Sequence, residues 1–170
     1  MAKRKREESE VTDRFASLSL SALNQAGKES VIKLALAALA QRHRVGRRLE
    51  SPGQVREFLR LKLFEQKNEV FGAMFLDTRH RVLEVAEMFQ GTIDGAAVYP
   101  RVVVQRAMAL NAAAVVFFHN HPSGVAEPSS ADQAITRRLI DALTLVDVRV
   151  LDHFVICAGE SVSMAERGLI

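Results

Sequence analysis

Cysteine is nearly missing from this chain. Only Cys157 occurs among 170 residues, which excludes an internal disulfide framework and makes a reducing cytoplasm the expected compartment. Cys157 sits in an apolar stretch, so it reads as a small core residue rather than a nucleophile. Long apolar runs are also missing. None approaches the ~20 residues of a membrane span, so no membrane partner is expected. The first residues are too polar for a secretory signal. Aromatic residues are not interleaved with the basic clusters, which leaves a stacking platform for single-stranded nucleic acid without support. Internal repeats are absent as well. Yet 48% of the residues are apolar, enough for one core of ordinary domain size.

Charge is unevenly distributed. Residues 1–50 carry eleven Lys/Arg against six Asp/Glu, and residues 51–170 carry twelve against fourteen. The basic character therefore belongs to the N-terminal part. Lys3-Arg4-Lys5-Arg6 opens the chain, and Arg42, His43, Arg44, Arg47 and Arg48 form a second cluster. Either is a candidate for non-specific contact with DNA phosphates, and either can equally be solvated surface.

The most informative stretch is His119-Asn120-His121-Pro122-Ser123-Gly124, followed by Ser129 and Asp132. Residues 112–118 before it are short and wholly apolar, the signature of a buried strand. Side chains two apart on a strand share a face, so His119 and His121 project together from its C-terminal end. Pro122 stops the ladder. A loop runs to Pro128, and Ser129 reads as the N-cap of a helix with Asp132 in its first turn. Ala131, Ile135, Leu139 and Leu143 then line one helix face. Taken singly, a buried histidine is ordinarily a hydrogen-bonded core residue and such an aspartate an ordinary cap. Together, at a strand end feeding a helix start, His119, His121 and Asp132 read as three ligands of a catalytic Zn²⁺ with its fourth position open. The adjacent letters His-Asn-His do not make an HNH nuclease, whose residues are spread along a longer hairpin–helix unit.

Around this motif the pattern predicts two parts. Residues 1–50 are a basic flexible arm plus a helical segment over 28–43, with apolar Val31, Leu34, Leu36, Ala38 and Leu39. Residues 51–170 form the folded domain. Ser51-Pro52 supplies an N-cap and first helical residue for a helix to about Glu65, with Val55, Phe58, Leu59 and Leu63 inward. Strands are predicted at 69–76 and 81–89, joined by the polar turn Asp77–His80. Gly91 and Gly95 mark a loop. Pro100 opens a helix with Val103, Val104, Ala107, Met108 and Leu110. Residues 148–157 read as a strand, and 158–164 turn into a last one. The expected fold is α/β, a mixed sheet flanked by helices.

The pattern His119-x-His121-Pro122-x₆-Ser129-x₂-Asp132 resembles the JAMM signature of JAB/MPN-domain metalloproteases. More narrowly, residues 50–170 are similar to RadC-type proteins. The matching residues are Gly91-Thr92, Tyr99-Pro100-Arg101, Asn111–Ala114, the whole His-Asn-His-Pro-Ser-Gly block, Pro128-Ser129, Val150–His153, and Ser163 with Glu166 and Gly168. This resemblance implies a cytidine-deaminase-like JAB/MPN architecture and a zinc metallohydrolase cleaving a peptide or isopeptide bond in a protein substrate. It also implies an association with DNA repair or mobile elements. RadC-type proteins often carry a helix-hairpin-helix module upstream, but no Gly-containing hairpin of that kind is visible in residues 1–50. An alternative class stays open: a non-catalytic accessory factor that binds DNA or a protein partner.

The family places its general base at the start of the first strand. Glu69 matches that position, and Glu87 on the next strand is its rival. For both, the bland reading is an ordinary strand-end carboxylate. Ser129 is expected to donate to an oxyanion, or to be only the helix cap. His153 reads first as a core residue bonded to a backbone carbonyl, and second as a partner of a ligand histidine.

Overall fold

In a computed structural model, residues 19–42, 46, 48, 51–63, 66–91 and 97–170 are described. The Lys3–Arg6 run, His43, Arg44, Arg47, Glu65, Thr92 and Gly95 lie outside them. The chain divides into two units, Met1–Ala37 and Ala38–Ile170. The first unit contains a 3-10 turn at Leu20–Ala22, and helix α1 (Gln25–Arg42) starts within it. Asn24 starts α1, its side chain accepting from Gly27 N at 2.8 Å. Val31 and Leu34 are exposed on it.

In the second unit the elements are α2 (Pro52–Leu63), β1 (Val70–Leu76), β2 (Val82–Gln90), α3 (Pro100–Ala109), β3 (Ala114–Asn120), α4 (Ser130–Thr144), β4 (Arg149–Ile156) and β5 (Ser161–Ser163). This is the order the pattern predicts. The strands form one sheet in the order β2-β1-β3-β4-β5. Only β3 and β4 run parallel; the other neighbours are antiparallel. A parallel neighbour needs a crossover connection, and α4 lies between β3 and β4 in the chain to provide it.

Strand alternation sorts the core into two layers. Val70, Met74, Leu76, Val116, Phe118, Phe154 and Ile156 pack beneath Val55, Phe58, Leu59 and Leu63 of α2. Phe71, Ala73, Phe75, Val115 and Phe117 pack beneath Val103 and Ala107 of α3 and Leu139 and Leu143 of α4. Because both faces are covered, β1 and β3 are buried at every residue. That is why they read as continuous apolar runs rather than alternating ones. Each fully buried Phe or Leu contributes roughly 1.5–3 kcal/mol relative to exposure.

Gly72 is required by this packing. A Cβ there would lie 2.2 Å from Phe118 Cζ and 2.7 Å from the carbonyl oxygen of Ala86. The turn between β1 and β2 is held by Asp77, whose carboxylate accepts from Arg79 N and Arg81 N at 2.8 Å and from Arg81 Nε at 2.6 Å.

Three expectations shift. Strand β3 runs over 114–120 rather than 112–118, so His119 lies inside it, paired with Phe71 and Val155. Neighbouring strands on both sides supply ladder partners past the apolar run, so an imidazole does not end the strand. On α4, Ala131 is exposed while Thr136 is fully buried. On α3, Met108 is 53% exposed, because Val103 and Ala107 already fill the contact with the sheet. Cys157 is buried, as its apolar setting suggests. Among the described residues no helix is long and apolar enough to cross a membrane.

Candidate metal centre

The site lies where β3 leaves the sheet and α4 begins. His119 is the sixth residue of β3, on the face that carries Phe71 and Phe117. His121 follows one residue beyond the strand, its N–H still bonded to Ile156 O at 2.8 Å. Two-residue periodicity brings both rings to one side, and their Nε2 atoms stand 2.9 Å apart.

Asp132 comes from the first turn of α4. Ser129 caps that helix, accepting from Asp132 N at 3.1 Å, while the Asp132 carboxylate accepts from Ser129 N at 2.7 Å. This reciprocal capping box fixes the carboxylate toward the histidines. Its Oδ1 lies 3.4 Å from His119 Nε2, and its Oδ2 lies 3.4 Å from His121 Nε2. His119 is 1% exposed, whereas His121 and Asp132 are each 15% exposed. Among the described residues, solvent therefore reaches the cluster through His121 and Asp132. Beside it, Asn120, His121, Pro122, Gly124 and Cys157 border a cavity of about 90 Å³.

The donor set fits a metal. Val125 O can only accept, so the 2.7 Å contact with His121 Nδ1 is donated by the ring. In the neutral ring the lone pair then sits on Nε2, facing a second imidazole nitrogen and a carboxylate. Lone pairs gathered this closely repel unless a proton or cation lies among them. Tetrahedral zinc, with bonds of about 2.0–2.1 Å, sets its donors roughly 3.3 Å apart, close to the spacings found. No other group of three such ligand side chains occurs among the described residues. The charges respond to one another as this arrangement requires. The hydrogen bond it donates to Asp132 raises His121 above the ordinary imidazole range, against the opposing effect of burial. For Asp132, burial acts upward, but hydrogen bonds from His119, His121 and Ser129 prevail and hold it well below the usual carboxylate range.

Glu69 immediately precedes β1. The last β1–β3 pair is Phe71 with His119, and two residues beyond it on each strand lie Glu69 and His121. The Glu69 charge acts on His121. Asn120, between the two histidines, holds this segment: its Oδ1 accepts from Val70 N at 2.7 Å and its Nδ2 donates to Asn68 O at 3.0 Å. Glu87 is placed elsewhere. It pairs across the sheet with Gly72, on the α2 side, and is bonded to Lys62 Nζ at 2.6 Å. The Ser129 hydroxyl has one hydrogen, and here it goes to Asp132 Oδ2 at 2.6 Å.

His153 differs from the first expectation. It is wholly buried and binds no backbone carbonyl through its ring; its Nε2 lies 2.8 Å from His119 Nδ1 and its Nδ1 lies 2.6 Å from Thr136 Oγ1. Burial and the neighbouring His119 charge hold it well below the ordinary imidazole range. Thr136 was not legible as a site residue, since a lone threonine in a helix carries no signal. Asp152 is a clamp rather than a ligand, accepting from His153 N, Ser163 Oγ and Ala165 N at 2.7, 2.6 and 3.1 Å.

The family model described as a RadC-like JAB domain matches residues 49–169. The chain belongs to the RadC-like JAB domain family. RadC-like relatives described as "UPF0758 protein" agree. The one from Stutzerimonas stutzeri (strain A1501) is 54% identical over 157 residues, covering 92% of this chain and 70% of the relative. That from Ectopseudomonas mendocina (strain ymp) is 52% identical over 161 residues, covering 95% and 72%. A third, from Marinobacter nauticus, is 56% identical over 142 residues, covering 84% and 63%. The RadC-like match begins after the second basic cluster and takes in every residue of the candidate centre.

Proposed function

We propose that this RadC-like JAB domain is a zinc-dependent metallohydrolase acting on a peptide or isopeptide bond. One observation carries the reading: two imidazole nitrogens and a carboxylate converge from separate elements onto one solvent-open point. His119, His121 and Asp132 would hold the ion. Bound zinc supplies a Lewis acid and a water whose pKa falls to about 7.

Glu69 is the proposed general base. It takes a proton from the attacking water and returns it to the leaving amine. Asn120 holds the backbone on both sides of Glu69, which limits where that carboxylate can swing. Ser129 would serve the developing oxyanion. Its hydroxyl now donates to Asp132 Oδ2, so this role needs the hydroxyl to turn once the carboxylate is engaged elsewhere. An oxyanion donor of this kind is worth about 3 kcal/mol.

Metal analysis of the purified protein tests the reading first. One zinc per chain is expected, and His121→Ala should abolish it; full occupancy in that variant refutes the ligand assignment. Glu69→Gln should keep the metal and lose cleavage of a model isopeptide. Retained turnover moves the base elsewhere.

The concentration of positive charge in residues 1–50 favours a second activity, non-specific binding to DNA, within a cytoplasmic repair or mobile-element setting. Affinity that falls steeply with salt, and disappears on deleting residues 1–50, is the expected behaviour.

A further inference from the structure

Two fully buried polar side chains, His153 and Thr136, touch residues of the candidate centre and are not among its three ligand side chains. Burying such groups is costly unless every hydrogen is placed, and here each placement can be worked out. Resting on the metal reading above, we propose that Thr136 and His153 are positioning residues that fix the tautomer of His119 and tie it to Asp132.

The directions follow from either end. Asp132 O is an acceptor only, so its 2.5 Å contact with Thr136 Oγ1 uses the single hydroxyl hydrogen of Thr136. The 2.6 Å contact between Thr136 Oγ1 and His153 Nδ1 must then be donated by the histidine. That leaves His153 Nε2 as the acceptor in the neutral ring, so His119 Nδ1 donates across 2.8 Å. Starting from the metal gives the same result. A ligand Nε2 on His119 needs its lone pair, which places the proton on Nδ1 and makes Nδ1 the donor to His153. From either end, His153 carries its proton on Nδ1 and its lone pair on Nε2.

The outcome is a directed chain, His119 Nδ1–H to His153, His153 Nδ1–H to Thr136, and Thr136 O–H to the main chain of Asp132. It begins at one ligand and ends at the residue that supplies another. Phe71 and Phe117 wall His153 with ring centroids 5.4 and 6.0 Å away. His121, by contrast, has its tautomer set by a backbone carbonyl in the exposed loop. The buried histidine therefore takes its orientation from tertiary packing, and the outer one from local backbone.

Zinc affinity by chelator competition and histidine tautomers by long-range nitrogen–proton NMR of the metal-free protein test this together. The wild type should show Nδ1–H tautomers for His119 and His153. His153→Phe should weaken zinc about 10- to 100-fold while folding normally, and His153→Gln should recover part of the loss by offering an acceptor. Thr136→Val should weaken zinc and Thr136→Ser restore it. Wild-type protein that binds zinc equally well as His153→Phe overturns this inference alone; wild-type protein that binds none overturns the metal reading and takes this inference with it. Should His153→Phe not fold, an Nε2–H tautomer at His119 in the wild type still overturns it.

Discussion

Replacing Gly72 with alanine isolates the packing that holds β1 against β3. The new methyl would stand 2.2 and 2.3 Å from two atoms of the Phe118 ring and 2.7 Å from Ala86 O. Carbon atoms rest about 3.5–4.0 Å apart, so the ring would have to retreat by more than 1 Å. Phe118 is fully buried between α2 and the sheet. Turning the ring does not relieve the contact with Ala86 O, which is backbone of β2. Overpacking of this kind costs about 1–3 kcal/mol, and an off-rotamer ring adds roughly 0.5–1.5 kcal/mol. The reduced freedom of alanine in the unfolded chain offsets about 0.4–1 kcal/mol. A net loss of about 2–3 kcal/mol is expected, or roughly 5–10 °C in melting temperature for a chain of this length. Urea unfolding measures it. A change under about 0.5 kcal/mol at unchanged m-value would refute the close approach of Phe118 to Gly72.

Glu87→Gln removes a half-buried ion pair with Lys62 and should cost under about 1 kcal/mol, leaving zinc and turnover intact; lost turnover would give Glu87 the role proposed for Glu69. In the metal-free protein, His121 is raised by its Asp132 hydrogen bond, so its contribution to stability is full below pH 6.5 and fades as pH climbs through the raised value. His153, held low by burial, acts in the opposite sense and only below pH 6.5, so His121→Gln should remove the decline expected between neutral and alkaline pH. Urea midpoints across that range check it, and an unaltered decline contradicts the coupling. Asp132 lies well below the usual carboxylate range, so its contribution is full above about pH 4 and lost only in stronger acid. Neutralising Arg44, Arg47 and Arg48 should flatten the salt dependence of any DNA affinity by about 0.9 per lost phosphate contact. An unchanged slope makes the cluster solvated surface.

The element order could be read because each signal was local. Ser51-Pro52 and Ser129 mark helix starts, and the four inward residues of α2 are those its spacing predicts. Burial on both faces explains the apolar runs of β1 and β3. Boundaries were less legible, since hydrogen-bonded neighbours carried β3 through two polar residues that composition alone would place outside it. Met108 and Ala131 show the same limit: helical spacing names an apolar stripe, but the partner layer decides which residues it covers.

The spacing of His119, His121 and Asp132 alone determined that a metal site could form here, because strand period and helix capping act over a few residues. Only the folded sheet decided what surrounds it. Register placed Glu69 next to His121 in the pairing and Glu87 on the opposite layer. The parallel pairing of β3 with β4 carried His153 to His119, and α4 brought Thr136 to His153. Those contacts join residues far apart in the chain, and no local propensity encodes a distance of that kind.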